Sequence, residues 1–581
     1  MTADAIIQAG AYFAVLVLLA YPLGLYMGAV YEGQRVFLTP VVGPLERLVY
    51  RVMRVDPASE MSWKGYSLGV LWFSLFGLAL LFAIQLLQGG GFLNPEHLPG
   101  VDPFLAFNTA ASFVANTNWQ AYGGENTMSY LTQMSGLAVQ NFLSAAAGMA
   151  VCLVLIRGFT RRQSETVGNF WVDMTRGVLY ILLPLSLILS VALVSQGVVQ
   201  NFHTYQRATL TAPYTGADGK EVTTQLLPQG PAASQIAIKQ LGTNGGGFFN
   251  ANSAHPYENP NPLSNFLEML SLMLIPAGFV FMFGRMARDM RQGWALFVAM
   301  SVIFVVAVVL AITFEQKGTP QLAAAGVELK ATALQSGGNM EGKEVRFGVV
   351  DSAIWAVATT STSNGSVNSM HDSYTPLGGM IPMVEMQLGE VIFGGVGSGL
   401  YGMLLLAIVT VFLGGLMVGR TPEYLGKKIG SYEMKMTVVG VLIVPVFLLI
   451  GTAVAVMVPG VSKLLNNPGP HGFSELLYAY TEALNNNGSA FAGLDANTPF
   501  MNLSIGIAIL IGRYGVIFPA IAIGGSLARK KAMAASAGTL PTHGPLFIVL
   551  LIFVILIVAG LNHFPALSLG PIAEQLQMLA R

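Results

Sequence analysis

Charged side chains are scarce in this sequence: Asp, Glu, Lys and Arg make up 10% of its 581 residues, against about 25% in soluble globular chains. The charge present balances, 29 basic against 29 acidic residues. That excludes both the basic excess of a nucleic-acid-binding protein and the one-signed excess of a disordered chain. A single cysteine, Cys152, rules out a disulfide framework within the chain and any cysteine-based metal cluster. The stretch Ala3 to Gln8 holds Asp4 but no Lys or Arg, so the basic start of a secretory signal is missing and the first apolar run reads as a retained span. His97, His203, His255, His371, His471, His543 and His563 show no metal-ligand spacing, and loop histidines held by hydrogen bonds are the simpler reading.

Apolar residues, by contrast, make up 53% of the chain, and there are 66 glycines. Runs near 20 apolar residues, enough to cross about 30 Å of hydrocarbon, fall at 8–30, 66–88, 131–156, 177–199, 263–284, 293–314, 381–418, 436–459, 501–527 and 545–562. The fold class expected is therefore an all-α polytopic membrane protein with about ten transmembrane helices. Lys and Arg favour short cytoplasmic loops. Nineteen of the 29 follow the odd-numbered spans, from Arg35 to Lys64, Arg157 to Arg176, Arg285 to Arg291, Arg420 to Lys435 and Arg529 to Lys531. Both termini are then expected to face outward.

The outward segments repeat. After Asp102 and Pro103, a helix-start signal, comes FLAFNTAASFVANTNWQAYGG, an apolar stretch ending in a polar, glycine-containing tract. The pattern recurs as ASQIAIKQLGTNGGGFFNAN, FGVVDSAIWAVATTSTSNGSVNS and FSELLYAYTEALNNNGSAFAG. Aligning the helix ends sets Asn116, Thr117 and Asn118 beside Thr243, Asn244 and Gly245, beside Ser363, Asn364 and Gly365, and beside Asn486, Asn487 and Gly488; the last positions lie 127, 120 and 123 residues apart. A helix of about 12 residues is too short to cross a bilayer, and irregular backbone survives at membrane depth only around a polar path or within protein. One such tract alone would read as a surface turn. Four at even spacing, each after a short apolar helix and before a full span, predict pseudo-repeats of helix, re-entrant pore helix, filter loop and helix around a central pore. Oxygen dipoles without carboxylates suit a partly dehydrated monovalent cation. The expected divisions are 1–64, an added span and cytoplasmic segment; pore repeats at 65–160, 161–290, 291–420 and 421–530; and 531–581, a cytoplasmic loop, final span and outward C-terminus.

Beyond the tracts, the chain carries ANTNWQ from Ala115, LGTNGGGFFNANSAHP from Leu241, NMEGKEVRFG from Asn339, GEVIFGGVGSGLYGM from Gly389, GRTPEYLGKK from Gly419, NPGPHGFSE from Asn467 and GTLPTHGPLF from Gly538. Through these it resembles, over essentially its whole length, the potassium-binding A subunits of Kdp potassium-transporting ATPases, within the superfamily of potassium transporters. The resemblance implies a K⁺ filter built from the twelve tract residues and a role in K⁺ affinity for Gln120. It also implies a separate P-type ATPase subunit that uses ATP, small single-span subunits, and a bacterial inner-membrane location, with no covalent cofactor and no nucleic acid as partner. In agreement, the chain has neither a Gly-x-x-x-x-Gly-Lys-[Ser/Thr] phosphate loop nor an Asp-Lys-Thr-Gly motif. The third tract reads SNG where some relatives have SCG; with backbone carbonyls as ligands, that departure bears on loop support.

Arg513 lies inside a span, and an ionisable residue there is a functional candidate: an electrostatic barrier or counter-charge, or a structural pair with an acid or carbonyls. Span 381–418 is too long for one crossing and is interrupted by Gly394, Gly395, Gly397 and Gly399, so local unwinding could gate the inward path, unless the glycines serve close helix packing. Glu385 and Glu390 precede the break, paired internally or lining the conduit. Asn339 to Arg346 is expected to anchor the third short helix, and the basic loops to set topology, with partner docking secondary. The competing function is a free-standing K⁺ channel or ion-gradient-driven transporter. A membrane enzyme is disfavoured, for no catalytic constellation stands out in the spans.

Overall fold

A computed structural model describes residues 2–216, 219–332, 334–417, 419, 421–533 and 539–580. Arg420, Gly538 and Arg581 lie outside them. Long helices dominate, ten of them apolar and long enough to cross a membrane among the described residues. In chain order the main helices begin with α1 (Ala3–Tyr31), α2 (Thr39–Met53), α3 (Trp63–Leu87), α4 (Pro103–Val114), α5 (Thr132–Thr160) and α6 (Phe170–Ser195). A two-stranded antiparallel ribbon follows, β1 (Gln206–Thr215) with β2 (Glu221–Leu227). Then come α7 (Ala232–Leu241), α8 (Pro262–Met286), α9 (Met290–Lys317), α10 (Gly348–Ser361), α11 (Pro376–Gln387) and α12 (Ser398–Met417). The last five are α13 (Ser431–Met457), α14 (Pro470–Asn485), α15 (Pro499–Arg529), α16 (Pro545–Leu567) and α17 (Ala573–Ala580).

Helix starts follow their caps. Asp102 accepts from the amides of Phe104 and Leu105 to open α4, with Pro103 at the first helical position, and Asn261 forms a capping box ahead of α8. Four times a long helix, a short helix of 10 to 16 residues and a second long helix follow one another: α3, α4, α5; α6, α7, α8; α9, α10, then α11 with α12; and α13, α14, α15. The second long helices form the interior. α5 and α8 are almost wholly buried, whereas α1, α3, α13 and α16 turn most of their surface outward. Glycines let the inner backbones touch: Gly158 of α5 packs on Gly524 of α15, Gly24 of α1 on the Gly278 carbonyl of α8, and Gly512 of α15 on the Leu484 carbonyl of α14.

Run 381–418 is two helices, α11 and α12, separated by ten residues without helix or strand. The stretch 200–230, which has no span-like pattern, holds the exposed ribbon. α2 has no counterpart among the apolar runs. It presents Val41, Leu45, Leu48 and Val52 outward beside Arg47 and Arg51, the composition of a helix lying along a membrane interface.

Several basic residues of the odd-numbered loops are bonded within the chain. Arg161 pairs with Glu60 at 2.6 Å, and its hydrogen bonds hold the Glu60 carboxyl down at about 2. Lys530 pairs with Glu433 at 2.6 Å. Lys427 is buried and donates to the carbonyls of Arg161, Leu527 and Lys530, which caps α15. Arg157 is buried and makes a two-pronged bond to Asp173 at 2.5 and 2.8 Å, with Tyr66 donating to the same carboxylate at 2.9 Å.

Candidate functional site: a ring of four tracts

All four short helices end at one place, and their polar tracts meet there, nearly every residue buried. In each tract the first and third residues have left-handed backbone and the second does not: φ is +66° and +56° at Asn116 and Asn118, +47° and +69° at Thr243 and Gly245, +53° and +83° at Ser363 and Gly365, +60° and +98° at Asn486 and Gly488. Alternation of this kind turns successive peptide planes the same way, so a row of carbonyls can face one side. Thr243 is a β-branched residue with positive φ, a strained conformation. It is held by Asn116 Nδ2, which donates to its carbonyl at 2.8 Å, and by the Val396 amide, which donates to its hydroxyl at 2.9 Å.

The tracts close a ring. Built onto Gly245, a Cβ would overlap the Asn364 carbonyl; onto Gly365, that of Asn487; onto Gly488, that of Thr117. The remaining side is joined by Asn118 Nδ2, which donates to the Gly245 carbonyl at 3.3 Å. Each third residue thus lies flush against the next tract, and carbonyls of the middle residues sit at the ring. The middle side chains reach backward instead. Asn244 donates to Asn116 Oδ1 at 2.5 Å and to the Asn141 carbonyl at 3.1 Å. Asn364 donates to the Lys239 carbonyl at 3.1 Å, Asn487 to the Thr359 carbonyl at 3.0 Å, and Thr117 Oγ1 accepts from Asn486 at 3.1 Å. Every tract is therefore braced to the repeat before it, and the carbonyls of Thr243, Gly245 and Asn486 accept side-chain hydrogen bonds from neighbouring tracts.

Gln120 sits just outside the ring and makes a reciprocal pair with Gly247, donating at 3.0 Å and accepting at 2.8 Å. Beyond the tract ends, Trp119, Gln120, Tyr122, Asn250, Phe491 and Asp495 line a cavity of about 270 Å³. On the side of the short-helix ends, Ser363, Glu390, Tyr401, Asn486, Arg513 and His563 line another, of about 100 Å³. Arg513 is buried there, and its one hydrogen bond among the described residues is a long one, 3.4 Å to the Ser144 carbonyl. Glu390 keeps one carboxylate oxygen buried without a partner; Glu385 accepts from Ser361 at 2.7 Å.

The α11–α12 linker lies against this side of the ring. The Gly394 amide donates to the Ser361 carbonyl at 3.0 Å. Gly395 stands against Ser363 and Thr243, Gly397 against the Gly148 carbonyl of α5, and Gly399 against the Phe393 carbonyl. Positive φ at Gly394 and Gly397 permits the turns. The linker thus touches three repeats directly beneath the tracts.

Several supports escaped the sequence. Lys239 and Glu258 form a buried ion pair behind the second tract, and Lys239 also donates to Asn252 at 2.7 Å. Lys343 pairs with Glu315 at 2.8 Å in full burial, which explains how the segment 339–346 fixes the approach to α10. A lysine or an asparagine on a short apolar helix has no local pattern that names its partner; only the ring brings them together.

A polytopic helical protein with four re-entrant loops closed around a neutral oxygen ring belongs among cation-conducting membrane proteins. Similarity to known proteins is more specific. Residues 10–576 match the family described as "Potassium-transporting ATPase A subunit". The chain is 61% identical to the "Potassium-transporting ATPase potassium-binding subunit" of Sorangium cellulosum over 578 residues, covering all of both chains. It is 60% identical to that of Herpetosiphon aurantiacus, covering 99% of each, and 58% identical to that of Methylibium petroleiphilum, covering all of both. The chain belongs to the potassium-transporting ATPase A subunit family.

Proposed function

We propose that this chain is the potassium-binding and translocating subunit of an ATP-driven K⁺ uptake complex, with the four tracts as its selectivity filter. The observation that carries this is the left-handed alternation repeated in all four tracts and closed into one ring. Carbonyl dipoles replace part of the hydration shell of a monovalent ion, and the C-terminal ends of four short helices add negative potential. Gln120 holds the outer rim of the first tract to that of the second. Arg513 places a positive charge beneath the ring, where it opposes uncoupled passage of cations, and the linker with Gly394, Gly395 and Gly397, continued by Gly399 in the first turn of α12, obstructs the way inward.

The chain is non-hydrolytic and works with a P-type ATPase catalytic subunit and small single-span subunits, in the bacterial inner membrane with both termini outward. Its relatives' names, its family, and the balance of Lys and Arg across loops support this reading. Titrating K⁺ against the ATPase activity of the purified complex tests it: activity saturating with K⁺, and far less with Na⁺, is expected. A chain that purifies from native membranes with no ATPase at any salt would instead favour a free-standing channel or gradient-driven transporter.

A further inference from the structure

Away from the ring, four residues from three distant stretches of the sequence meet at the outer end of α14. His471, in its first turn, has Nδ1 2.8 Å from Glu574 Oε1 of α17 and Nε2 3.0 Å from Asp372 Oδ1, in the loop that follows the third tract. One turn further, Glu475 points to the same place. One of its oxygens accepts from Asn467 at 2.8 Å, and the other, Oε2, is buried without a partner. Ligand atoms of Asp372, His471 and Glu475 all lie within 4.8 Å of one another. Gly493 closes the cluster, since a Cβ there would strike Glu475 Oε1 and stand 2.7 Å from Asp372 Oδ2. The cluster is enclosed: Glu475 is fully buried, and the side chains of Asp372 and His471 are 11% and 18% exposed.

Three carboxylates, of Asp372, Glu475 and Glu574, surround one imidazole, so even with both His471 nitrogens protonated two negative charges, and the unpaired Glu475 oxygen, call for a further cation. An imidazole nitrogen with two carboxylate oxygens is a donor set that zinc-class ions accept. The contact from Nδ1 to Glu574 is the outer hydrogen bond that commonly orients a ligating histidine. We propose that Asp372, His471 and Glu475 form a binding site for a divalent transition cation of the zinc class, on the outer face and independent of the K⁺ ring. Tetrahedral bonds of about 2.0–2.2 Å put ligand atoms about 3.4 Å apart, so the His471–Asp372 pair opens slightly and Glu475 closes in, leaving a fourth position to water. The bound ion ties the start of α14 to the loop after the third tract and, through Glu574, to α17.

The test uses the whole complex, stripped with chelator and dialysed against micromolar Zn²⁺, with bound zinc measured by atomic emission. Wild type should hold one tightly bound Zn²⁺ per chain, and His471→Ala and Glu475→Gln should bind about tenfold more weakly or worse. Zinc should raise the thermal midpoint of wild type and leave both variants unmoved. K⁺-dependent ATPase activity without zinc verifies folding, and Glu475→Gln, which preserves size and the Asn467 contact, decides the matter alone if His471→Ala does not assemble. Equal zinc binding by wild type and Glu475→Gln, or none by wild type, overturns the site.

Discussion

Replacing Gly245 with alanine separates two demands that meet at that residue. Its φ of +69° costs a residue with a Cβ about 1–2 kcal/mol. The added Cβ would also overlap the Asn364 carbonyl oxygen, which must swing away by roughly 1.5 Å to restore van der Waals separation. If that oxygen serves the ion, the loss resembles a hydrogen bond to a charged group, about 1.5–3 kcal/mol, and K⁺ binding weakens about 10- to 100-fold. Gly460→Ala is the control. It has comparable backbone, φ +92°, with nothing within 4 Å of a Cβ, so it should lose only the conformational contribution, with K⁺ affinity intact. The assay is half-activation of the complex's ATPase by K⁺, with assembly followed by gel filtration. If Gly245→Ala assembles and keeps wild-type half-activation, the Asn364 carbonyl is not a ligand and the ring is not the filter.

Gln120→Ala removes both bonds to Gly247; a loss of about 1.4 kcal/mol corresponds to roughly tenfold weaker K⁺ activation, and an unchanged K⁺ titration would count against the rim role. Arg513→Gln should disturb the ratio of transported K⁺ to hydrolysed ATP in proteoliposomes more than it lowers the amount of folded complex; equal losses of protein and activity would make the arginine structural. Asp173→Asn leaves Arg157 buried without its charge partner, at a cost of about 3–5 kcal/mol. A large fall in thermal midpoint is expected, mostly recovered by Arg157→Met with Asp173→Leu, and a single variant as stable as wild type would refute this account.

What could be read from the sequence followed from repetition and length. Apolar runs locate the spans because a bilayer sets their length, and four tracts announce themselves because they recur at similar intervals. Gly245, Gly365 and Gly488 advertise left-handed backbone, but Thr243 and Ser363 do not, so the alternation within each tract emerges only from tertiary structure. Asn141, Ser144 and Thr359 brace the ring from neighbouring helices with nothing local to mark them. His471 lies 99 residues from Asp372 and 103 from Glu574, so no search for ligand spacing could unite them. α2 escapes a run-length criterion because its apolar face is broken by arginines, and such a criterion does not see amphipathic order.

The backward bracing of each middle side chain makes the four quadrants dependent yet separately encoded. In an assembly of four identical chains, one codon change alters every quadrant together. Here a single substitution touches one junction and leaves three as reporters. Severing Asn244, Asn364 and Asn487 from their partners, singly and in combination, would loosen the ring in graded steps and reveal whether ion discrimination declines gradually or collapses once a threshold is crossed.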